Sequence, residues 1–220
     1  MKNAGHWLLV AMMAAGSSAL QSCDPIEALY ESSFNEVLSD TWSSASRKSA
    51  MEESAEDRLT STFEDALQDK LDEWGASLVE MSVSFDAGSS PPAMDLSNRA
   101  TTSTGSATTT TFDWRVSPQW TGSGAKITIT GKIKYLLVNH NFTAKLTNIA
   151  LGGNGMWQIR TPDEGSSSAT VSITGAVGRG DMTLEIGSVY SGSWEETSSD
   201  LGEALVRSMV IEPITEEYGW

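Results

Sequence analysis

Few residues of this 220-residue chain are of the types that carry out catalysis. The chain has one cysteine, Cys23, and two histidines, of which only His140 lies beyond the first 23 residues. A Ser-His-Asp centre would have to use His140, and no Gly-x-Ser-x-Gly motif accompanies it. We interpret His140 as part of a hairpin turn formed by Asn139-His140-Asn141. Zinc ligands are too scarce for a site, and phosphate-binding glycine motifs are missing from the sequence, so no metal and no cofactor is predicted.

Carboxylates are the one abundant reactive group, with 29 Asp and Glu residues. A suitably spaced pair of them could hydrolyse a glycosidic bond. The densest acidic runs, Glu52-Glu53 and Asp72-Glu73, fall on the faces of predicted helices, where exposure to solvent is the simpler role. The sequence therefore predicts a protein that is not an enzyme.

The eight tryptophans give a better indication of ligand binding. Trp114 and Trp157 are in phase with the apolar faces of predicted strands, which places them in the core. Trp120 and Trp194 fall in predicted loops, where an exposed indole can stack on a sugar or anchor a partner protein. Alternatively, both side chains cover the open ends of the β core. Trp120 and Trp194 are the candidate ligand-binding residues.

The first 23 residues have the layout of an export signal. Lys2 gives a cationic start, residues 7–15 are an unbroken apolar run, and residues 16–22 are mostly small. Nine apolar residues are too few to cross a bilayer, so the pattern is typical of a cleaved signal peptide.

The end of this segment, Leu20-Gln21-Ser22-Cys23, resembles the lipobox of bacterial lipoproteins. The resemblance implies that residues 1–22 are a signal peptide that is removed, and that Cys23 carries the family's diacylglycerol and palmitate. It also implies a cell-envelope protein anchored to a membrane by its lipid and facing the periplasm or the exterior. Asp24, directly after the cysteine, favours the inner membrane under the sorting rule of enteric bacteria. The alternative is a soluble secreted protein cleaved earlier, which leaves Cys23 as an unpaired thiol.

The charge of the chain argues against two kinds of partner. Its formal net charge is −15, whereas nucleic acid requires a surface rich in Lys and Arg, and an anionic lipid surface attracts basic segments. Residues 24–90 hold 16 acidic and four basic residues, so the acidity belongs to the part nearest the predicted anchor. A hydrophobic content of 39 % is enough for a packed core.

Two helices are predicted after the signal from their end signals. Asp24 is a suitable N-cap, with Glu27 three positions on to close a capping box. Ser49 and Glu52 form a second capping box after a short polar break. Gly75 stands where a helix C-terminal glycine belongs.

Both predicted helices carry an apolar stripe at spacings of three and four residues. The stripe residues are Ile26, Leu29, Tyr30, Phe34, Val37, Leu38, Trp42 and Ala45, then Leu59, Phe63, Ala66, Leu67, Leu71 and Trp74. The simplest arrangement is an antiparallel hairpin, so residues 23–75 are predicted to be an acidic helical arm that can detach from residues 76–220.

After Gly75 the apolar period changes from 3.6 to 2, which indicates strands with one apolar face. Alternating apolar residues occur within 79–85, 112–116, 127–135, 142–146, 171–177 and 182–186. Turns are predicted at 139–141, 152–155, 162–165 and 178–181, which are rich in Gly, Asn, Asp or Pro. The Ser- and Thr-rich segment 89–111 is predicted to be a mobile loop that runs into a strand start at Thr108 to Thr111. A terminal helix is predicted to begin at Asp200 with Glu203 and to stop at Pro213.

These elements predict an α+β fold: an N-terminal helical hairpin, a six- to seven-stranded antiparallel β-sandwich or partly open barrel, and a C-terminal helix. The order is loosely similar to helix-grip folds and to the lipoprotein-sorting carriers of the envelope. The first functional hypothesis is a membrane-anchored module that binds a protein or glycan partner. The alternative is a carrier that holds a lipid or another hydrophobic ligand between a curved sheet and a helix. A cavity of several hundred Å³ lined by apolar strand faces would favour the carrier, and a filled core would favour the binding module.

Overall fold

In the computed structural model, which describes residues 24–121 and 124–220 without the side chains of residues 117–121, two helices precede an antiparallel sheet and a helical segment follows it. The helices are α1 (Pro25–Ser43) and α2 (Ala45–Glu73). The strands are β1 (Ser77–Asp86), β2 (Met94–Thr104), β3 (Ala107–Thr121), β4 (Lys126–Tyr135), β5 (Val138–Pro162), β6 (Ser168–Ile186) and β7 (Tyr190–Ser198). The last segment comprises α3 (Ser199–Val206), a π-helical stretch (Arg207–Ile211) and α4 (Glu212–Tyr218).

The predicted α+β class with seven antiparallel strands is confirmed, and the strands form one sheet that is not closed. Strand β5 organises this sheet, because β6 pairs with it along one edge while β4 and then β3 pair with the other. The change of partner coincides with a bulge between Thr147 and Ala150, where Asn148 has a φ of 53°. The sheet therefore has two parts that share β5 and β6. One part adds β1, β4 and β7, and the other adds β2 and β3.

Three predicted turns are wrong, because β5 contains 139–141 and runs unbroken through 152–155, and β6 runs unbroken through 178–181. The glycines there permit close packing. A Cβ on Gly155 would lie 1.9 Å from the carbonyl oxygen of Ser172, and one on Gly178 would lie 2.7 Å from Leu201 Cγ. Glycine within a strand can mark a close approach as well as a turn, and a single sequence does not distinguish the two.

The predicted loop is wrong from residue 94 onwards, because that part contains β2, whereas the strand start predicted at Thr108 to Thr111 is confirmed within β3. Thr108 to Thr111 pair with Thr161 to Gln158 of β5 and with Ser103 to Ala100 of β2. Threonine is β-branched and favours extended backbone, and this propensity outweighs the resemblance of a Ser/Thr-rich run to a loop.

Helix α1 begins as predicted. The Asp24 side chain accepts a hydrogen bond from the backbone N–H of Ile26 at 3.0 Å, and Pro25 occupies the first turn. Burial acts to raise the pKa of Asp24, but hydrogen bonds from Arg99 and Ile26, together with the guanidinium charge, hold it below its usual value. The predicted break at residues 43–49 shrinks to Ser44, so Ser49 lies inside α2 and caps nothing.

Acidic side chains of both helices serve the edges of the sheet. Glu56 and Glu52 accept the backbone N–H groups of Phe85 (2.8 Å) and Ala87 (2.9 Å) at the β1 edge. At the β2 edge, Glu31 and Glu27 accept those of Leu96 and Arg99, at 2.8 and 3.1 Å. Glu27 and Glu52 were predicted to close capping boxes, so this is a correction. A bare strand edge is prone to pair with another chain, and the carboxylates occupy these donors instead.

The core is shared between the helices and the sheet. From α1, Tyr30 and Phe34 are buried against aromatic rings of β3 and β5. The ring centroids of Tyr30 and Phe112 are 4.8 Å apart, and those of Phe34 and Trp157 are 5.2 Å apart. From α2, Met51, Ala55, Leu59 and Leu71 belong to the same cluster. Residues 24–73 thus pack against the sheet rather than standing apart from it.

The C-terminal helical segment does not stop at Pro213. Instead, the π-helical stretch comes directly before Glu212 and Pro213, and α4 continues to Tyr218. A wider helical turn tolerates the missing N–H of the proline, which is why the sequence signal for a stop was misleading. The N-cap of α3 is Ser198, which accepts the backbone N–H of Leu201 at 3.2 Å, rather than the predicted Asp200.

Candidate functional site: an apolar cavity between α2 and the sheet

The C-terminal half of α2 carries apolar side chains that the core covers only in part. Leu59 and Leu71 are buried, but Phe63 and Leu67 are only partly buried and Ala66 is exposed. All five residues belong to the predicted apolar stripe. Part of the stripe therefore faces open space instead of the sheet.

That space is a cavity of about 430 Å³ between α2 and the concave face of the sheet. Its floor is built from alternate residues of neighbouring strands, as the period of two requires. The floor residues are Met81 of β1, Ile129 and Ile133 of β4, Phe142 and Ala144 of β5, and Met182, Leu184 and Ile186 of β6. The volume lies within the range of about 300 to 1,000 Å³ that is typical of small-molecule sites.

The rim of the cavity is aromatic. Trp74 follows the end of α2, while Tyr190 and Trp194 lie on β7, and all three side chains are between 42 and 51 % exposed. Strand β7 pairs only with β6, so its second edge is open. The rim therefore combines large apolar surface with access to solvent.

Polar groups at the cavity are few and lie near its opening. Lys70 and Glu196 are the only charged residues among those that line it. The Trp194 indole N–H donates to Glu196 Oε2 at 2.9 Å, and Lys70 Nζ lies 3.3 Å from Glu73 Oε1. An apolar floor with one cationic and one anionic group at the mouth suits a ligand with a long apolar body and a polar end.

The structure places the predicted site residues in different ways. Trp194 is at the cavity, but on β7 rather than in a loop. The backbone of Trp120 belongs to β3 and is paired with Leu151, so the loop prediction is wrong there too, and its side chain is outside the described residues. The predicted lipidation site, Cys23, also lies outside the described residues. His140 is on β5 opposite Ile133, and the turn that was assigned to it is formed by Leu136 and Leu137.

Other features of the described ranges are less suited to a ligand. A second depression of about 330 Å³ lies between α2 and α4, but four charged residues line it: Arg47, Glu212, Glu216 and Glu217. Within residues 24–121 and 124–220, no group of three or more His, Cys, Asp or Glu residues is arranged to hold a metal ion. Over the same residues, no helix is both long and apolar enough to cross a bilayer.

Comparison of the chain with protein-family models, with curated proteins and with solved structures found no match. The functional argument therefore rests on the geometry of the cavity. Sequence analysis identified most of its lining as apolar strand and helix faces, but assigned those faces to a packed core. One sequence feature indicated a cavity: the apolar stripe of α2 includes both a small side chain, Ala66, and a very large one, Trp74.

Proposed function

We propose that this protein binds a hydrophobic small molecule, of the acyl-chain lipid class, in the cavity between α2 and the sheet. The observation that supports the proposal best is the cavity itself: about 430 Å³, with a mostly apolar lining drawn from two helices and five strands. This is the carrier alternative of the sequence analysis.

The energetics support a ligand in this space. Burial of apolar surface stabilises by about 25 cal/mol per Å². An empty cavity leaves the side chains of Phe63, Leu67 and Leu184 only partly covered, and the rim residues Trp74 and Trp194 half exposed. An apolar chain that covers these surfaces gains that free energy without disturbing the packed core around Phe34.

The polar groups support a lipid rather than a purely apolar molecule. Lys70 and Glu196 are the charged residues of the lining, so the polar end of a bound lipid finds one cation and one anion to pair with. The floor offers no comparable charged group. The orientation that follows has the acyl chain inside and the head group at the rim.

The hypothesis of a protein- or glycan-binding module depended on tryptophans in loops. Trp194 is instead a lining residue whose indole N–H is already hydrogen-bonded to Glu196, which favours a role in the cavity. The anchored state remains part of the proposal. A lipid on Cys23 would hold the carrier at the envelope membrane that supplies its ligand.

The test is a titration with a dansyl-labelled fatty acid, using full-length chain with Cys23→Ser so that the protein carries no acyl chain of its own. Ala66→Trp projects an indole into the cavity from an exposed position and should weaken binding at least ten-fold, about 1.4 kcal/mol. Ser61→Trp is the matched control, because residue 61 is exposed on the same helix and does not line the cavity. Equal affinities of the two variants would contradict the proposal.

A further inference from the structure

The β4–β5 hairpin ends in an apolar tip, defined here as residues 135–138. Leu136 and Leu137 are 76 and 88 % exposed, and the neighbouring Tyr135 and Val138 are also exposed. Because both leucines are mostly exposed, burial in the core does not account for them.

Turn chemistry does not account for them either. Leu136 and Leu137 have φ values of 47° and 67°, the left-handed conformation of a two-residue type I′ turn. Asn-Gly and similar pairs are strongly preferred there, and residues with larger side chains adopt it at a cost. Strained backbone that holds two exposed leucines in place is the kind of outlier that indicates a functional contact.

The tip lies beside the opening of the cavity. Ile133 on the cavity floor is three residues from Leu136, about 10 Å along a strand that rises 3.3 Å per residue. The adjacent β6–β7 turn is fastened to the same hairpin, since Gly187 N donates to Asn141 O at 2.9 Å. That turn adds two exposed apolar residues, Val189 and the rim residue Tyr190.

The two turns at this end differ in charge from the chain as a whole, although Glu185 and Glu196 lie on the strands that join them. The chain carries a net −15, yet residues 134–141 contain Lys134 and His140 and no carboxylate, and residues 187–194 contain no charged residue. An anionic lipid surface repels carboxylates and attracts lysine. Tyrosines beside an apolar tip also suit the interface of a bilayer, where their rings bridge the head groups and the hydrocarbon.

We infer that the apolar tip inserts into the hydrocarbon of a phospholipid bilayer and holds the cavity mouth at the membrane surface. The inference rests on the proposed function, because it names the source of the ligand: a lipid that enters from the bilayer past Ile133 and Tyr190. A protein partner suits the tip less well, because two turns offer far less surface than the roughly 1,200 Å² or more that a stable interface buries.

Insertion is tested with an environment-sensitive fluorophore, nitrobenzoxadiazole, on Leu137→Cys in the full-length Cys23→Ser chain. Vesicles of phosphatidylethanolamine and phosphatidylglycerol should raise the emission several-fold, and lipids with a nitroxide in the acyl chain should quench it. Ser166→Cys, in the polar β5–β6 turn, is the matched control and should stay unchanged. Equal responses at both positions would overturn the inference.

A second pair of substitutions separates the tip from the cavity. Leu136→Asn with Leu137→Gly installs a preferred type I′ turn, so the hairpin should fold at least as well. This variant should keep the affinity for the dansyl fatty acid in solution but take up that probe from vesicles at least ten-fold more slowly. An unchanged uptake rate would overturn the inference while leaving the proposed function intact. Insertion of the tip into vesicles without any binding of the soluble probe would contradict the proposed function while leaving the insertion itself intact.

Discussion

Replacing Phe34 with alanine tests whether the N-terminal helices belong to the folding unit of the sheet. The Phe34 side chain is fully buried and lies 5.2 Å from the ring of Trp157 on β5 and 5.8 and 6.1 Å from those of Tyr218 and Trp220. Removing a buried phenylalanine typically costs about 3 to 5 kcal/mol, from lost transfer free energy and the cavity left behind. Domains of this size are stable by only about 5 to 15 kcal/mol, so the loss is a large fraction of the total.

The measurement is thermal unfolding followed in parallel by near- and far-ultraviolet circular dichroism. At about 2 to 4 °C per kcal/mol, Phe34→Ala should lower the midpoint by roughly 6 to 20 °C, with helix and sheet signals moving together. Ser32→Ala on the exposed side of α1 is the control and should change stability by less than about 0.5 kcal/mol. The shared core would be refuted if the sheet signal of Phe34→Ala kept its wild-type midpoint. In that case residues 23–75 would be the separable arm that the sequence suggested.

Three further changes have definite expected outcomes. Gly155→Ala places a Cβ against a backbone oxygen and should lower the free energy of unfolding in urea by about 1 to 3 kcal/mol. Gly105→Ala is the control, because a Cβ there meets no atom within 4 Å and should leave stability unchanged. Equal effects of the two substitutions would contradict the close approach at Gly155. Burial raises the pKa of Tyr30 to about 12, while the unfolded phenol ionises near 10. The stability that comes from this difference in pKa is fully present below pH 10 and is lost as the pH rises towards 12. Unfolding free energies over that range should fall by up to about 1.4 kcal/mol per pH unit, and Tyr30→Phe should flatten the slope; an unchanged slope would exclude this cause. Cys23→Ala should release the protein from membranes and abolish its labelling by a fatty acid. A variant that stays bound to membranes and is still labelled would exclude Cys23 as the anchor.

The fold was predictable wherever one residue period applied to a whole segment. The alternation at 127–135 defined β4, and the stripe through Phe34 defined the buried face of α1. The prediction failed where a residue type has two uses. Thr101 to Thr104 of β2 are as compatible with a loop as with a strand, and Gly155 is as compatible with a turn as with a close contact. Tertiary contacts decide between such uses, and those contacts are not local in sequence.

The acidic helices illustrate a second kind of limit. Glu52 and Glu56 have the spacing of an ordinary solvated helix face, and nothing local distinguishes them from Glu53. Their role depends on the unpaired N–H groups of Phe85 and Ala87, about 30 residues further along the chain. A carboxylate that serves a strand edge becomes recognisable only when the helix and the edge are seen side by side.

The cavity could be predicted only as an alternative. Apolar patterns identify the faces of α2 and of β4 to β6 that avoid water, but they do not fix the distance between those faces. Whether they touch depends on how α2 is held, and the Glu56–Phe85 and Glu52–Ala87 hydrogen bonds fasten it to the β1 edge. Away from the β1 edge, the space between α2 and strands β5 and β6 stays open.

Photocrosslinking tests the central claim, that an acyl chain occupies this cavity, most directly. A fatty acid with a diazirine near the end of its chain would be irradiated with the full-length Cys23→Ser protein, and the modified peptides identified by mass spectrometry. Our account predicts labels on residues 62–74 of α2 and its C-terminal end and on the floor residues of β4 to β6, suppressed by excess unlabelled fatty acid and by Ala66→Trp. Labels on the solvent face of the sheet, for example at Met156, or labels that excess fatty acid does not suppress, would contradict it.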